Sequence, residues 1–309
     1  MSDEFTVTFH GVRGSYPVPG AKFVRIGGNT PCVEVRAANQ LIIIDAGTGI
    51  IGLGKKLLMQ SRAAGRNGAP APIVATLLFS HTHHDHTQGF PFFIPAYQGI
   101  CTLYIFGPRM LQEDLKEALG RSMVSPSFPV DLDELHSTRI VRNLEETEML
   151  SLRPDAPAPE VLNIYREKHL ASPEAIAITQ FKSYAHPKTG TNIYRIDWHG
   201  KSVVYASDTE SYVGGDSRLI NFAKNTDLLI HDAQWMHEEY VGMPMPKQGW
   251  GHSTPEMAIT VAQAANAKRL ALFHHDPNHD DDVVEAMGRQ TQAKYPNAFV
   301  AYEGLTVTL

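Results

Sequence analysis

Cysteine is nearly missing from this chain: Cys32 and Cys101 are the only two among 309 residues. Two cysteines in a chain of this length cannot build a disulfide framework, and a reducing cytoplasm is the expected compartment. Long apolar runs are missing too. No stretch approaches the ~18 consecutive apolar residues of a membrane span. Met1–His10 carries Asp3 and Glu4 and no apolar run, so no signal peptide is expected there. Nor is there an excess of positive charge. Lys and Arg number 27 against 33 Asp and Glu, a net charge of -6. That balance argues against a surface that grips nucleic acid nonspecifically. It leaves room for a small anionic substrate, because bound divalent cations can dominate a local field.

What is present is an ordinary enzyme-like composition, 43% hydrophobic and 19% charged, with one unusual count, 15 histidines. Such a chain is long enough for one large domain or two small ones. His10, His136, His169, His199, His237 and His279 have no metal-like neighbourhood and read as ordinary surface or core residues. The others cluster at the ends of expected strands.

The N-terminal third reads as short strands, Phe5–Phe9, Cys32–Arg36 and Leu41–Asp45, rich in β-branched residues and separated by Gly-rich turns. Asp45-Ala46-Gly47-Thr48-Gly49 opens an amphipathic helix from about Ile50 to Ala64. A Gly/Pro/Ala-rich linker, Gly65–Pro72, leads to the strand Ile73–Phe79, and then at once to His81-Thr82-His83-His84-Asp85-His86. A strand at Leu103–Phe106 and a helix near Met110–Leu119 follow. Residues 122–175 are Pro- and acid-rich and read as an insertion with short strands, a lid or a dimer contact. Strands Ile178–Tyr184, Thr191–Asp197 and Ser202–Ser207 come next. Strands Leu228–His231, Leu270–Phe273 and Phe299–Tyr302 then alternate with helices near Pro255–Ala265 and Asp281–Ala293. β-rich halves with helices between them point to an α/β fold in which two mixed sheets pack face to face with helices outside, an αββα sandwich, in a single domain over 1–309.

In His81-Thr82-His83, two imidazoles two residues apart point the same way from an extended segment, so both can bind one cation. Asp85 and His86 lie past the point where the chain turns and can face a second. His84 is the odd member, expected to face away or to support a ligand. His186, Asp208 and one of His274 or His275 each end a later strand. His186 can complete the site of His81 and His83, and His274 that of Asp85 and His86, while Asp208 can bridge them. Such a pair of ions, typically about 3.5–4 Å apart, activates a shared hydroxide and clamps the attacking and leaving oxygens. Imidazole and carboxylate ligands suit zinc, manganese or iron, with zinc the first expectation.

The run HTHHDH, with Asp45-Ala46-Gly47-Thr48-Gly49 upstream and His186, Asp208 and His274 downstream, resembles the metallo-β-lactamase superfamily over nearly the whole chain. The resemblance implies the αββα sandwich and assigns Asp45 to orienting the ligands. Within the superfamily, Leu228-Leu229-Ile230-His231-Asp232-Ala233-Gln234 and Gly251-His252-Ser253-Thr254 resemble the ribonuclease Z-type branch. By that resemblance His252 would protonate the leaving oxygen and Asp232 would orient it. Here the acid is Asp where that branch has Glu, so the dyad needs a closer approach. Ser253 or Thr254 before Pro255 also looks like a helix start. Gly11-Val12-Arg13-Gly14-Ser15 and Gly27-Gly28-Asn29-Thr30 resemble phosphodiesterases of this branch. There, backbone N–H groups with Arg13, Ser15 or Asn29 are expected to meet a phosphate.

The expected function is hydrolysis of a small or cyclic phosphodiester, such as a cyclic nucleotide, by bridging-hydroxide attack with His252 as general acid. The expected partners are that small molecule, no membrane, no stably bound nucleic acid, and, by the resemblance, a second copy in a homodimer. Transfer RNA 3′ processing is disfavoured because that family holds RNA with a protruding basic Gly-rich arm. Only 21 residues (208 − 186 − 1) separate His186 from Asp208. Rivals are an acyl hydrolase (lactonase, thioesterase or β-lactamase-like), a diiron redox module, and a metal-binding scaffold without turnover. The redox module would carry an acid at the position of His83 and need a flavin partner.

Overall fold

The computed structural model describes residues 4–109 and 113–309. The expected helix near Met110–Leu119 therefore begins outside the described residues, as does the reading of Met1–His10 at Met1–Asp3.

Strands β1 (Thr6–Gly11), β2 (Cys32–Ala37) and β3 (Gln40–Ile44) form an antiparallel meander. Helix α1 (Gly49–Ala64) crosses to β4 (Ile73–Leu78), which lies parallel to β3. A single turn, α2 (His84–Thr87), precedes β5 (Cys101–Gly107), α3 (Leu115–Arg121) and β6 (Thr138–Asn143), and β4, β5 and β6 are parallel. β7 (Glu148–Leu152), β8 (Glu160–Asn163), β9 (Ile176–Ser183), β10 (Thr191–Trp198) and β11 (Lys201–Ala206) are antiparallel neighbours in the second sheet. α4 (Ser217–Phe222), β12 (Leu228–Asp232), α5 (His237–Val241), α6 (Pro255–Ala264), β13 (Leu270–Phe273), α7 (Asp281–Lys294) and β14 (Ala298–Val300) follow, with β11 to β14 parallel. β15 (Thr306–Thr308) returns to pair with β1. The sheet orders are β15-β1-β2-β3-β4-β5-β6 and β14-β13-β12-β11-β10-β9-β7-β8.

Period-two burial explains the layering. In β3, Ile42 and Ile44 point into the core between the sheets, with Val33, Val35, Ile178, Ile196 and Val203. Leu41 and Ile43 point the other way, into a second core closed by Ile50, Leu53 and Leu57 of α1 and Leu115 and Leu119 of α3. Ala258, Val261 and Ala262 of α6 and Val284 and Met287 of α7 pack on the far side of the second sheet. Each fully buried Ile or Val contributes roughly 1.5–3 kcal/mol of transfer free energy. Two mixed sheets between helices are the αββα sandwich that the pattern implied.

Residues 122–175 carry β6, β7 and β8, which extend the edges of both sheets. β6 and β8 are short and half-exposed, with β6 alternating exposed and intermediate residues along its whole length, whereas β7 is buried beyond Glu148. The edge position of β6 and β8 explains their weak signal in the sequence. The parallel register of β3 with β4, and of β11 with β12 and β13, brings the C-terminal ends of these strands to one edge of the sandwich, where loops can carry a site.

Candidate metal centre

Four strand ends supply the metal-binding side chains. β4 runs into Ser80 and the histidine run, β9 ends before His186, β11 stops at Asp208, and β13 stops at His274. Asp45, Asp208 and His274 all take positive φ, +61°, +54° and +62°. A side chain there is turned back across the sheet edge as the strand stops. That conformation costs a non-glycine residue about 1–2 kcal/mol, and Asp and His tolerate it better than β-branched residues.

Two groups of ligand atoms result. In each, every atom lies within 4.8 Å of the others: His81, His83 and His186 in one, and Asp85, His86, Asp208 and His274 in the other. Asp208 faces both. Its Oδ1 lies 3.7 Å from His81 Nε2 and 3.7 Å from His186 Nε2. Its Oδ2 lies 3.0 Å from His86 Nε2 and 3.4 Å from His274 Nε2. His275, the alternative to His274, points away and donates from Nε2 to the Ala301 carbonyl at 2.9 Å. Burial pushes His275 down to about 3. His84 is exposed and joins neither group.

The other nitrogen of four imidazoles is anchored, which fixes where each ring points. His86 Nδ1 donates to Asp45 Oδ2 at 2.7 Å, His186 Nδ1 to the Gly251 carbonyl at 3.0 Å, and His274 Nδ1 to Gln234 Oε1 at 3.0 Å. His81 Nδ1 lies 3.1 Å from Ser80 Oγ. Asp45 also accepts from Ser80 N, Ser80 Oγ and Tyr205 Oη at 2.7–2.8 Å. It is thus the buried clamp that holds the run against the second sheet.

Electrostatics divides the groups. Burial pushes His81 well below the ordinary imidazole value, lowers His83, and brings His186 to about 4, so these three are neutral lone-pair donors. In the other group, burial is outweighed: Asp208, Asp85 and Asp45 hold His86 well above its ordinary value, and Asp208 and Asp85 hold His274 at about 9. The imidazoles in turn keep Asp85 and Asp208 well below the usual carboxylate range, although burial opposes this.

The donor set fits two divalent cations. His81 Nε2 is buried without a hydrogen-bond partner among the described residues. His186 Nε2 and His83 Nδ1 converge to 3.0 Å, and His86 Nε2 and His274 Nε2 to 3.4 Å. Opposed imidazole lone pairs repel unless a cation or a proton lies between them.

Beside these groups His252 Nδ1 donates to Asp232 Oδ2 at 2.8 Å. The shorter Asp side chain therefore closes the distance. Asp232 is fully buried and also accepts from Ser253 N at 2.9 Å, Gln234 N at 3.2 Å and Asp208 N at 3.2 Å. Helix α6 is capped separately by Thr254, whose side chain accepts from Met257 N. Capping thus leaves His252 free. A ring nitrogen of His252 lies within 4.8 Å of ligand atoms of His186 and Asp208.

The family model of the β-lactamase superfamily domain matches residues 40–275. The chain belongs to that superfamily. Residues 40–275 of this metallo-β-lactamase fold include all seven ligand candidates as well as Asp45, Asp232 and His252. Ribonuclease Z of Picrophilus torridus is 26% identical over 305 residues, covering 91% of this chain and 89% of that protein. Among solved structures, Zn²⁺-bound PqqB from Methylobacterium extorquens matches with a TM-score of 0.65 and 16% identity, covering 98% of this chain and all of that one. Human tRNase Z, short form, matches with a TM-score of 0.59 and 20% identity over 98% of each chain. The fold, its divalent metal chemistry and its place among metal-dependent hydrolases follow.

The ribonuclease Z relatives overturn one expectation, a small-molecule substrate with no stable nucleic-acid binding. A net charge of -6 sums the whole surface, whereas a nucleic acid meets one face of it.

The N-terminal loops also differ from expectation. Arg13 is fully buried and cannot meet a phosphate. Its guanidinium donates to the carbonyls of Gly27, Asp276 and His279 and to Asp281 Oδ1. Asn29 Nδ2 is held by Glu303 at 2.9 Å. The backbone N–H groups of residues 12–15 are likewise taken, by the carbonyls of Asn29 and His275 and by Asp85. Gly14 instead provides clearance: a Cβ there would lie 2.4 Å from the His274 ring. Ser15 alone of the three stays at the rim, with its N–H on Asp85 Oδ2 at 2.8 Å.

Several supporting residues escaped the sequence reading: Ser80, Tyr205, Gln234 and Glu210. Glu210 accepts from Tyr240 Oη (2.5 Å), Gly249 N (2.8 Å) and Gly251 N (2.9 Å) and so ties down the loop that bears His252. The spacing of Glu210, two residues beyond Asp208, was the only available signal.

Proposed function

We propose that this chain is a dinuclear metal phosphodiesterase that cleaves RNA, with His252 as general acid. The observation that carries the reading is the 2.8 Å His252–Asp232 pair beside the two ligand groups. An acyl hydrolase has no need of such an acid, whereas a phosphodiester with a poor alkoxide leaving group does. The ribonuclease Z names of the relatives supply the substrate class. A set of five imidazoles and two carboxylates favours zinc, with manganese and iron as competitors.

When bound, the cations supply Lewis-acid charge to the phosphate oxygens and acidify a water. The chain does the rest. Asp208 holds the two groups one carboxylate apart, and Asp45 fixes His86. Water attacks phosphorus, the P–O ester bond breaks, the departing oxygen takes the His252 proton, and the proton given up by the water passes through solvent to restore His252. Asp232 keeps the imidazolium charged and aimed. Ser15, beside Asp85, is positioned to touch a phosphate oxygen. Both cysteines are buried free thiols, in keeping with a cytoplasmic location.

The test is a substrate panel with zinc- and manganese-loaded protein. It comprises a hairpin RNA with a single-stranded 3′ tail, 2′,3′- and 3′,5′-cyclic nucleotides, bis(p-nitrophenyl) phosphate, and lactones and thioesters. Cleavage of the tailed RNA is expected. Turnover of cyclic nucleotides alone would remove RNA as the substrate. Turnover of lactones or thioesters with no phosphodiester cleaved would sink the reading altogether.

A further inference from the structure

The 21 residues between His186 and Asp208 are spent on β10, β11 and their turns, so no RNA-holding arm grows there. If the substrate is RNA, the body of the protein must hold it. Beside His186 the surface carries two adjoining cavities, of about 490 and 380 Å³, with Tyr184 in the wall of both. The larger is lined by Arg109, Lys182 and Lys188, the smaller by Tyr212, Gly249 and Glu210, whose carboxylate is taken up by Tyr240 Oη and the N–H groups of Gly249 and Gly251. Two aromatic rings in these walls face solvent, Tyr184 at 71% and Tyr212 at 62% exposed, and Trp250, 47% exposed, follows Gly249 in the chain. The cations lie close to the rings, with Lys182 Nζ 5.7 Å from the Tyr184 centroid and Lys247 Nζ 4.2 Å from that of Trp250.

Exposed rings beside lysines offer a stacking face and a positive charge together, which suits a flat, anionic ligand. Unpaired nucleotides have both properties: every base has a face to stack, and every linkage carries a charge. The carboxylates of the larger cavity are Glu145 and Glu146, and Glu146 is paired with Arg218 at 3.2 Å, which leaves the cations in excess. The walls of the groove are continuous in the chain with the loops that carry His186 and His252. Tyr184 and Lys188 flank His186 in sequence, and Gly249 and Trp250 lead directly into Gly251, whose carbonyl holds His186, and then His252.

We infer that this Tyr184–Tyr212 groove is a binding site for a single-stranded segment of polynucleotide adjoining the scissile bond. The inference rests on the RNA reading above and adds to it the location and the single-strandedness of the bound segment. Bases stack on the tyrosines while Lys182 and Lys188 neutralise phosphates.

The experiment is fluorescence anisotropy of metal-loaded protein with a labelled phosphorothioate RNA decamer, which resists hydrolysis, alongside cleavage of the tailed hairpin RNA. Tyr184→Ala and Tyr212→Ala should each weaken decamer binding about tenfold, within the range set by the loss of one base stack. Tyr184→Phe should retain binding, and Tyr165→Ala, an exposed tyrosine beyond β8, should leave it unchanged. The double variant Lys182→Ala/Lys188→Ala should lower the slope of log affinity against log salt by about 1.4, at ~0.7 per phosphate contact. Wild-type affinity in both tyrosine variants, with the tailed RNA still cleaved, would overturn the groove and leave the RNA reading intact. A wild-type protein that neither binds the decamer nor cleaves RNA, yet turns over other diesters, would remove both.

Discussion

At the scale of single residues, the proposed reaction depends on what His252 can do with a proton. Its Nδ1 is committed to a fully buried carboxylate, so its other nitrogen is the one available to a leaving group. His252→Ala should lower kcat for unactivated phosphodiesters by about 10²–10⁴. It should leave bis(p-nitrophenyl) phosphate turnover within a few-fold, because p-nitrophenolate departs unprotonated. Steady-state kinetics on both substrates, with metal content measured in parallel, checks this; an equal fall on both removes His252 as the acid. The adjacent ring stack, His252 over His274 at 5.0 Å and 13° between planes, shows how little room separates the acid from the ligands. His274 itself depends on the backbone of Gly14.

At the scale of elements, two carboxylates act as straps. Glu210 leaves the end of β11 and holds the loop of residues 249–251, while its own N–H donates to the Ala185 carbonyl beside His186. It is a positioning residue, and Glu210→Ala should lower kcat for unactivated diesters by about 10–100-fold, the usual loss when an outer partner is removed. KM should move less than kcat, and Glu210→Gln should recover part of the loss because one acceptor oxygen remains. Glu34 on β2 works on stability instead. Burial would raise its pKa, but the hydrogen bond from His10 and the charges of Arg36 and Lys56 hold it at about 2. A depressed folded-state value stabilises at pH above the unfolded glutamate's, near 4.5, and that gain is lost as pH falls toward 2. Thermal melts of Glu34→Gln should therefore show a lower Tm than wild type at pH 7. The gap should close between pH 4.5 and 2.

At the scale of the whole molecule, the candidate metal ligands join both sheets: His81, His83, Asp85 and His86 hang from the first, and His186, Asp208 and His274 from the second. Bound cations would therefore cross-link the edge of the sandwich, while the two apolar cores lie away from it. Stripping metal with a chelator should keep the far-ultraviolet circular dichroism and lower Tm by about 5–10 °C. That corresponds to about 2.7 kcal/mol of linkage for each of two cations at a hundredfold excess over Kd, against an unfolding entropy of roughly 0.65 kcal/mol per K for a chain of this length. Loss of secondary structure on chelation would show that the metals fold the domain rather than brace it.

The sequence by itself determined the strand preceding the histidine run, the two-metal pattern and most elements of both sheets. These are legible because they are local: alternation of apolar residues over five or six positions sets a strand, and ligands at two-residue spacing share a face. Only the tertiary structure decided between His274 and His275, since a positive φ at the strand end turns the first inward and sends the second to Ala301. It alone showed Arg13 and Asn29 to be internal ties, and β6 and β8 to be weakly patterned sheet edges. It also closed the 2.8 Å between Asp232 and His252, 20 residues apart. The physical reason is the same in each case. Which strand ends meet at one edge of a sandwich is set by sheet order and loop conformation, and neither leaves a periodic trace in the chain.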